Sequence, residues 1–188
     1  MKAIALLSGG LDSILAAKAI QEQGIEVLGL SFESPFFKAE GARTAAADLG
    51  IPLVVVDLTD DILATLLKPK YGYGKHVNPC IDCHALMVRK AQDVMREHDA
   101  SFVVTGEVVG QRPKSQMRFG LDAVARESGL EGYLLRPLSA RLLEPTIPEK
   151  EGWVDRERLY AFHGRTRKPQ MELAERYGIT RYESPAGG

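Results

Sequence analysis

Ser8-Gly9-Gly10-Leu11-Asp12-Ser13 follows directly on the apolar run Ile4-Ala5-Leu6-Leu7, and this junction decides what the rest of the chain can be. A buried strand that breaks at two glycines and re-enters as a helix gathers several backbone N–H groups around one anion-sized hollow. A side chain at Gly9 or Gly10 would fill that hollow, and positive φ costs glycine little. The hydroxyls of Ser8 and Ser13 add donors. The helix that begins at Leu11 and Asp12 turns its positive end toward phosphate oxygens. Neither the lysine-containing GxxxxGK[ST] pattern nor GxGxxG occurs here.

Working outward, Leu11, Ile14, Leu15, Ala17 and Ile20 recur at helical spacing up to Gly24, a helix stop. Residues 25–32 read as a second strand, 37–49 as an alanine-rich helix ending at Gly50, and 52–58 as a third strand. A short helix over 60–67, a polar loop over 68–78 and a long helix over 80–98 come next. Strands over 101–106 and 133–138 enclose a helix over 120–128. The tail from residue 144 is proline-spaced, then helical around 155–162 and 170–177. Strands apolar on both faces, alternating with helices, predict an α/β fold: a parallel five-stranded sheet with helices on both faces. Ligands in such sheets bind beyond the carboxyl ends of the strands. That rule brings residues 8–13, the segment after Ser31 and the segment after Thr105 onto one rim.

The 188 residues suit one compact domain, and the 45% hydrophobic and 26% charged fractions are those of a globular protein. Net charge is −1, so any basic surface must be local. No apolar stretch reaches the roughly 18–20 residues of a membrane span, and a strand at the very start leaves no room for a signal peptide. Two cysteines three residues apart suit a ligand or redox pair in a reducing compartment. A cytoplasmic location is expected.

That pair lies in Asn78-Pro79-Cys80-Ile81-Asp82-Cys83-His84. Proline bars a regular helix just before Cys80 and is tolerated at a helix start. Cys80 and Cys83 then share one face of the first turn, where the dipole favours thiolate. Three readings stay open: two small buried residues, a redox dithiol, or part of a metal or iron–sulfur site that needs further ligands. Asp82 is expected to favour the helix N-terminus and His84 to lie at the surface.

A third constellation is Thr105-Gly106-Glu107-Val108-Val109-Gly110-Gln111-Arg112-Pro113-Lys114-Ser115-Gln116, a line of polar groups at a strand end. The hexapeptide at 8–13 resembles the SGGxDS loop (PP-loop) of the N-type ATP pyrophosphatases, matching all five of its fixed positions. The TGExxGQ run, and Leu135-Arg136-Pro137-Leu138 after it, resemble tRNA 4-thiouridine synthetases, while NPCxxC resembles tRNA 2-thiouridylases. The resemblance covers most of residues 1–140 and extends to proteins described as tRNA methyltransferases, in which a cysteine follows a segment like Ser184-Pro185-Ala186-Gly187-Gly188. It implies an adenine nucleotide alpha hydrolase-like (Rossmann-like) fold and one PP-loop ATP-binding domain over 1–188, with 144–188 as a helical extension that continues past this chain.

The resemblance further implies ATP-dependent thiolation of a tRNA uridine. The uracil oxygen is adenylated with release of pyrophosphate, and sulfur then displaces AMP. Ser8, Gly9, Gly10, Leu11, Asp12 and Ser13 are expected to hold the phosphates, Asp12 with Mg²⁺. Leu30, Ser31 and Phe32 would border the adenine, Gly106 would let nucleotide approach the backbone, and Glu107 and Gln111 would face ligand. Cys80 and Cys83, with Asp12 the expected catalytic residues, would carry sulfur or ligate an iron–sulfur cluster that is incomplete in this chain. Expected partners are tRNA, a sulfur donor protein or sulfide, and an RNA-binding domain or partner chain. Arg112, Lys114 and Arg118, and separately His163, Arg165, Arg167 and Lys168, form basic stretches without an acidic residue that suit an RNA backbone. Tyr71 and Tyr73, between Lys70 and Lys75, could stack on an extruded base; Trp153 reads as packing. Two other functions remain open: adenylation of a small metabolite, and a non-catalytic nucleotide- or cluster-binding module.

Overall fold

In the computed structural model, which describes residues 1–73 and 80–184, five parallel strands are β1 (Lys2–Leu6), β2 (Glu26–Glu33), β3 (Leu53–Asp57), β4 (Phe102–Val104) and β5 (Leu134–Leu135). Their order is β3-β2-β1-β4-β5. Side chains alternate across the pleat, so each strand serves two cores. Ala3, Ala5, Phe102, Val104 and Leu135 face one apolar cluster; Ile4, Leu28, Leu30, Val103 and Leu134 face the other. The helices are α1 (Leu11–Gln21), α2 (Glu40–Leu49), α3 (Thr59–Leu67), α4 (Cys80–Glu97), α5 (Arg118–Ser128), α6 (Ile147–Lys150) and α7 (Lys168–Tyr177). α1, α2 and α7 cover the first cluster through Leu11, Leu15, Ala42, Ala46, Leu173 and Ala174. Ile62, Ile81, Val88 and Val124 bring α3, α4 and α5 onto the second.

The strand order reverses direction between β1 and β4. In folds of this strand order the ligand crevice lies between the loops that leave those two neighbours, here residues 8–13 and 105–111.

Three expectations change in detail. The fourth and fifth strands are only three and two residues long: Thr105 N–H still donates to the Leu135 carbonyl at 3.0 Å, but Pro137 has no N–H to continue a ladder. Instead the C-terminal extension docks there: Tyr160 N–H donates to the Pro137 carbonyl at 2.9 Å and Phe162 N–H to that of Leu138 at 2.7 Å. The helix expected around 155–162 is only a 3₁₀ turn, Arg156–Arg158, since the chain after it must run extended to make those bonds. Trp153 packs on Phe102 with ring centroids 6.4 Å apart. The turn expected from Asn78 and Pro79 lies outside the described residues.

Candidate functional site

β1 is buried and stiff, so the chain leaves it at a defined point and the loop inherits that precision. Gly9 has φ +87°, and a Cβ there would stand 2.6 Å from the Gly41 carbonyl carbon at the start of α2. Gly10 has φ −76° and ψ 152°; a Cβ there would meet only Ser8 Oγ, at 3.4 Å. The space over Gly10 is open. Ser13 Oγ donates to the Gly10 carbonyl at 2.8 Å and accepts from Ser8 N–H at 3.2 Å. Gly10 N–H reaches Ser8 Oγ at 3.3 Å. The two serines thus shape the loop as well as lining it. No side chain caps α1, so its first N–H groups, from Leu11 onward, are left for a ligand or water. The Leu11 side chain is core, 1% exposed.

Asp12 Oδ2 accepts from Gln111 Nε2 at 2.9 Å across the crevice. The other oxygen of each, Asp12 Oδ1 and Gln111 Oε1, is buried without a partner among the described residues, as is Gln116 Oε1. Buried oxygens without donors cost about 1–3 kcal/mol each. A cation, or water ordered by one, relieves that cost, so this pair fits Mg²⁺. Arg167 Nη2 lies 3.9 Å from Asp12 Oδ2.

Gly106 has another task than the one expected. A Cβ on it would fall 2.6 Å from the Asp12 carbonyl carbon and Ser13 nitrogen, so glycine there admits the first turn of α1 and ties the two loops together. Glu107 is not a rim group facing ligand. It is 6% exposed, and Arg136, 7% exposed, donates through Nε to its Oε2 at 2.9 Å. Thr105 Oγ1 donates to the same oxygen at 2.9 Å, and His84 Nδ1 is 3.2 Å from Oε1. Burial pushes the Glu107 carboxyl up, but the Arg136 guanidinium and then His84 outweigh it and hold it well below the usual carboxylate range. His84, expected at the surface, therefore links α4 to the β4 loop.

Leu30, expected to border the adenine, is fully buried and its carbonyl accepts from Leu7 N–H, so its side chain is core. Ser31 and Phe32 are 4% and 7% exposed. Phe36, just beyond β2, is 62% exposed.

Cys80 and Cys83 are half-buried free thiols in the first turn of α4. The depressed thiol pKa expected there does not hold for Cys83: burial first, then Cys80 and Asp82, push it up to about 11. Asp82 does more than favour the helix end, accepting from Lys70 N–H at 2.9 Å and Tyr71 N–H at 3.0 Å. Among the described residues no three His, Cys, Asp or Glu side chains come together to hold a metal ion. The two thiols alone, among the described residues, supply only part of the ligand set that an iron–sulfur cluster needs.

Of the basic trio, two members are engaged internally. Lys114 Nζ donates to the Tyr71 carbonyl at 2.9 Å, and Arg118 Nη2 to that of Leu142 at 2.7 Å. Arg112 is exposed. Tyr71 donates its hydroxyl to Glu127 at 2.8 Å and sets its ring edge-on to Phe119, while Tyr73 is 47% exposed; Lys75 lies outside the described residues.

Sequence reasoning missed Ser139 and Glu183. Ser139 Oγ donates to the Phe162 carbonyl at 2.6 Å and accepts from Val109 N–H at 3.0 Å. Glu183 N–H donates to the Gly9 carbonyl at 2.9 Å. Both hold the C-terminal extension to the crevice loops, and neither leaves a local signal.

A glycine loop at the strand-order reversal, an uncapped helix and an acidic side chain at its start define an α/β protein of the adenine nucleotide alpha hydrolase-like fold. The chain belongs to the ThiI family, described as thiamine biosynthesis protein (ThiI), whose profile matches residues 1–141. It is 26% identical over 170 residues to tRNA-specific 2-thiouridylase MnmA of Cytophaga hutchinsonii, covering 78% of this chain and 45% of that protein. To MnmA of Trichlorobacter lovleyi it is 30% identical over 152 residues, covering 75% and 43%. The chain thus spans less than half the length of these curated relatives. A solved 4-thiouridine synthetase in complex with RNA and bound ATP superposes with a TM-score of 0.54 and 29% identity, over 74% of this chain and 37% of that one. A predicted subunit of tRNA methyltransferase from Methanocaldococcus jannaschii shares the fold, with a TM-score of 0.53 and 17% identity over 73% and 69%.

Proposed function

We propose that this chain binds ATP over residues 8–13 and adenylates a uracil carbonyl oxygen of tRNA, so that sulfur can replace it. The observation that carries this reading is the pair of buried, partnerless oxygens on Asp12 and Gln111, beside an open glycine loop and an uncapped helix. That is a polar hollow of opposite charges, positive at the helix end and negative at Asp12, which suits a phosphate chain with its divalent cation. The ATP-bound 4-thiouridine synthetase, 29% identical, supports the nucleotide, and its RNA supports the acceptor.

Oxide is a poor leaving group from the uracil carbon. Attack of the carbonyl oxygen on the α-phosphorus forms an O–P bond and breaks the bond to pyrophosphate. The outer sulfur of a cysteine persulfide, loaded by a sulfur donor, then bonds to the carbon as AMP departs with the original oxygen. The thiolate of the other cysteine attacks the carrier sulfur, breaking the S–S bond so that the thiouracil leaves and a disulfide remains. The protein's part is to hold and to neutralise. Leu11, Asp12 and Ser13 would offer backbone N–H groups to the phosphates. Asp12 and Gln111 would hold Mg²⁺, which supplies charge neutralisation at the phosphate oxygens. Glu107 and Arg136 fix the β4 loop from beneath. Cys80 and Cys83 are the candidate sulfur carriers, and the raised pKa of Cys83 keeps it mostly as the thiol at neutral pH.

One observation favours a second reading, adenylation of a small metabolite. Lys114 and Arg118 are engaged with carbonyls of this chain, which thins the basic surface available to RNA. Pyrophosphate release by the purified protein, measured with ATP alone and with bulk tRNA, decides between them. Release that depends on tRNA supports tRNA adenylation. Release only with a small-molecule extract transfers the chemistry to a metabolite, and tight ATP binding without release under any condition leaves a nucleotide-binding module.

A further inference from the structure

The segment after the family-matched residues 1–141 returns to the crevice and brings one guanidinium to it. Its course is held at several points. Phe162 N–H bonds to the Leu138 carbonyl at 2.7 Å, Gly164 N–H to that of Val109 at 2.8 Å, and His163 pairs in parallel with Val109. From residue 168 onward α7 is anchored by Leu173 and Ala174, 1% and 3% exposed, in the same core as Leu11 and Leu15. Arg167 stands between these two anchors, and its carbonyl accepts from Met171 N–H at 3.0 Å.

Its side chain is 27% exposed and its Nη2 is 3.9 Å from Asp12 Oδ2. That distance gives a charge pair without a hydrogen bond, and Asp12 Oδ2 already accepts from Gln111. Among the described residues the Arg167 guanidinium donates to no acceptor. A planar fork of donors is therefore presented at the phosphate loop with its hydrogen bonds unspent. Arginine is the side chain best suited to two oxygens of one phosphate. Three residues on and one helical turn away, Gln170 is fully buried with both amide ends partnerless, so the polar groups at the start of α7 are not saturated by the protein.

We propose that Arg167 is a phosphate-binding residue of the nucleotide site, contributed by the C-terminal extension. It neutralises Asp12 while the site is empty and turns its guanidinium to the phosphates of ATP when Mg²⁺ takes its place beside the carboxylate. This rests on the reading of residues 8–13 as an ATP loop.

The exchange predicts opposite responses in one variant. Arg167→Ala removes a donor to phosphate and also a cation that competes for Asp12. ATP affinity in the presence of Mg²⁺, measured by calorimetry, is expected to fall by about tenfold or more, the usual cost of a charge-assisted hydrogen bond. Mn²⁺ affinity without nucleotide, measured by electron paramagnetic resonance, is expected to hold or rise. A loss of packing at α7 would weaken both. Arg167→Lys keeps the charge but not the fork and should bind ATP with intermediate affinity; it carries the test if the alanine variant does not fold. Unchanged ATP affinity in either variant, or a parallel fall of ATP and Mn²⁺ affinity, overturns the proposal. Failure of the unaltered protein to bind ATP is a separate result: it removes the ATP reading, and this inference with it.

Discussion

Gly9 and Gly10 stand side by side yet answer to different constraints. Gly9 combines positive φ with a Cβ position that collides with Gly41, so Gly9→Ala is expected to cost about 2 kcal/mol or more in chemical denaturation. Gly10 has an ordinary extended backbone and free space above it. Gly10→Val should keep the parent's stability within about 1 kcal/mol while its branches occupy the hollow and abolish ATP binding in calorimetry. Equal stability losses in the two variants would mean that Gly10 also serves the fold. Glu107 is the opposite case, a residue whose role is set by a partner far along the chain. Its carboxyl is held below the usual range, so the native state binds fewer protons than the unfolded one. The pair then contributes its full stability above pH ~4.3, and that contribution drains away as pH falls below that value. Glu107→Gln should cost about 3–5 kcal/mol at neutral pH by stranding Arg136 and should flatten the acid limb of the stability profile. Replacing Glu107 and Arg136 together by Gln and Met should cost less than the single change. The loop motif was legible because its glycines and serines are adjacent in sequence. The task of Glu107 was not, because nothing near it announces Arg136, and a charged residue in a polar run reads as exposed.

At the scale of elements, the first turn of α4 carries the sharpest departure from expectation. Helix dipole and i, i+3 spacing both argued for reactive thiolates, and both features are present. Burial of Cys83 and the negative neighbours Cys80 and Asp82 outweigh them, since a dipole acts within one turn and is worth about 1 kcal/mol or less at most sites. Alkylation of Cys83 by iodoacetamide, followed by mass spectrometry across pH, should therefore be half-maximal near pH 11. At pH ~7.5 its thiolate fraction, and with it the alkylation rate, should be about a few hundredfold below that of an ordinary thiol of pKa ~8.5. Cys80→Ser removes one of the negative neighbours and should shift the Cys83 profile to lower pH; no shift would leave burial as the whole cause. Helices α1, α2 and α7 were foreseen within a few residues because apolar spacing reports a face that must be covered. β4 and β5 came out shorter than their apolar runs, since burial alone does not tell a laddered residue from one lying against another loop.

Across the whole molecule, the strand-order reversal at β1 and β4 places the crevice, and the extension then closes around it. Glu183 bonds to Gly9, Ser139 joins Phe162 to Val109, and Arg167 faces Asp12. None of these contacts was legible in the sequence, where 144–188 read as helical segments after a proline-spaced stretch, with Arg167 in a basic run suited to an RNA backbone rather than facing Asp12. Contacts that close over such separations leave no periodic trace. If the extension is part of the same folding unit as residues 1–141, damage to its buried face must destabilise the entire chain. Leu173, 1% exposed on α7, packs in the core that also holds Leu15 of α1 and Val104 of β4. Leu173→Ala should then lower global stability by about 2–5 kcal/mol while unfolding remains a single transition, with far-ultraviolet circular dichroism and Trp153 fluorescence changing together. An early partial loss of helix signal, with the main transition unmoved, would make the extension a separately melting appendage. The loop at 8–13 would then keep its shape without it, contrary to the bond from Glu183 N–H to the Gly9 carbonyl that ties the extension to it.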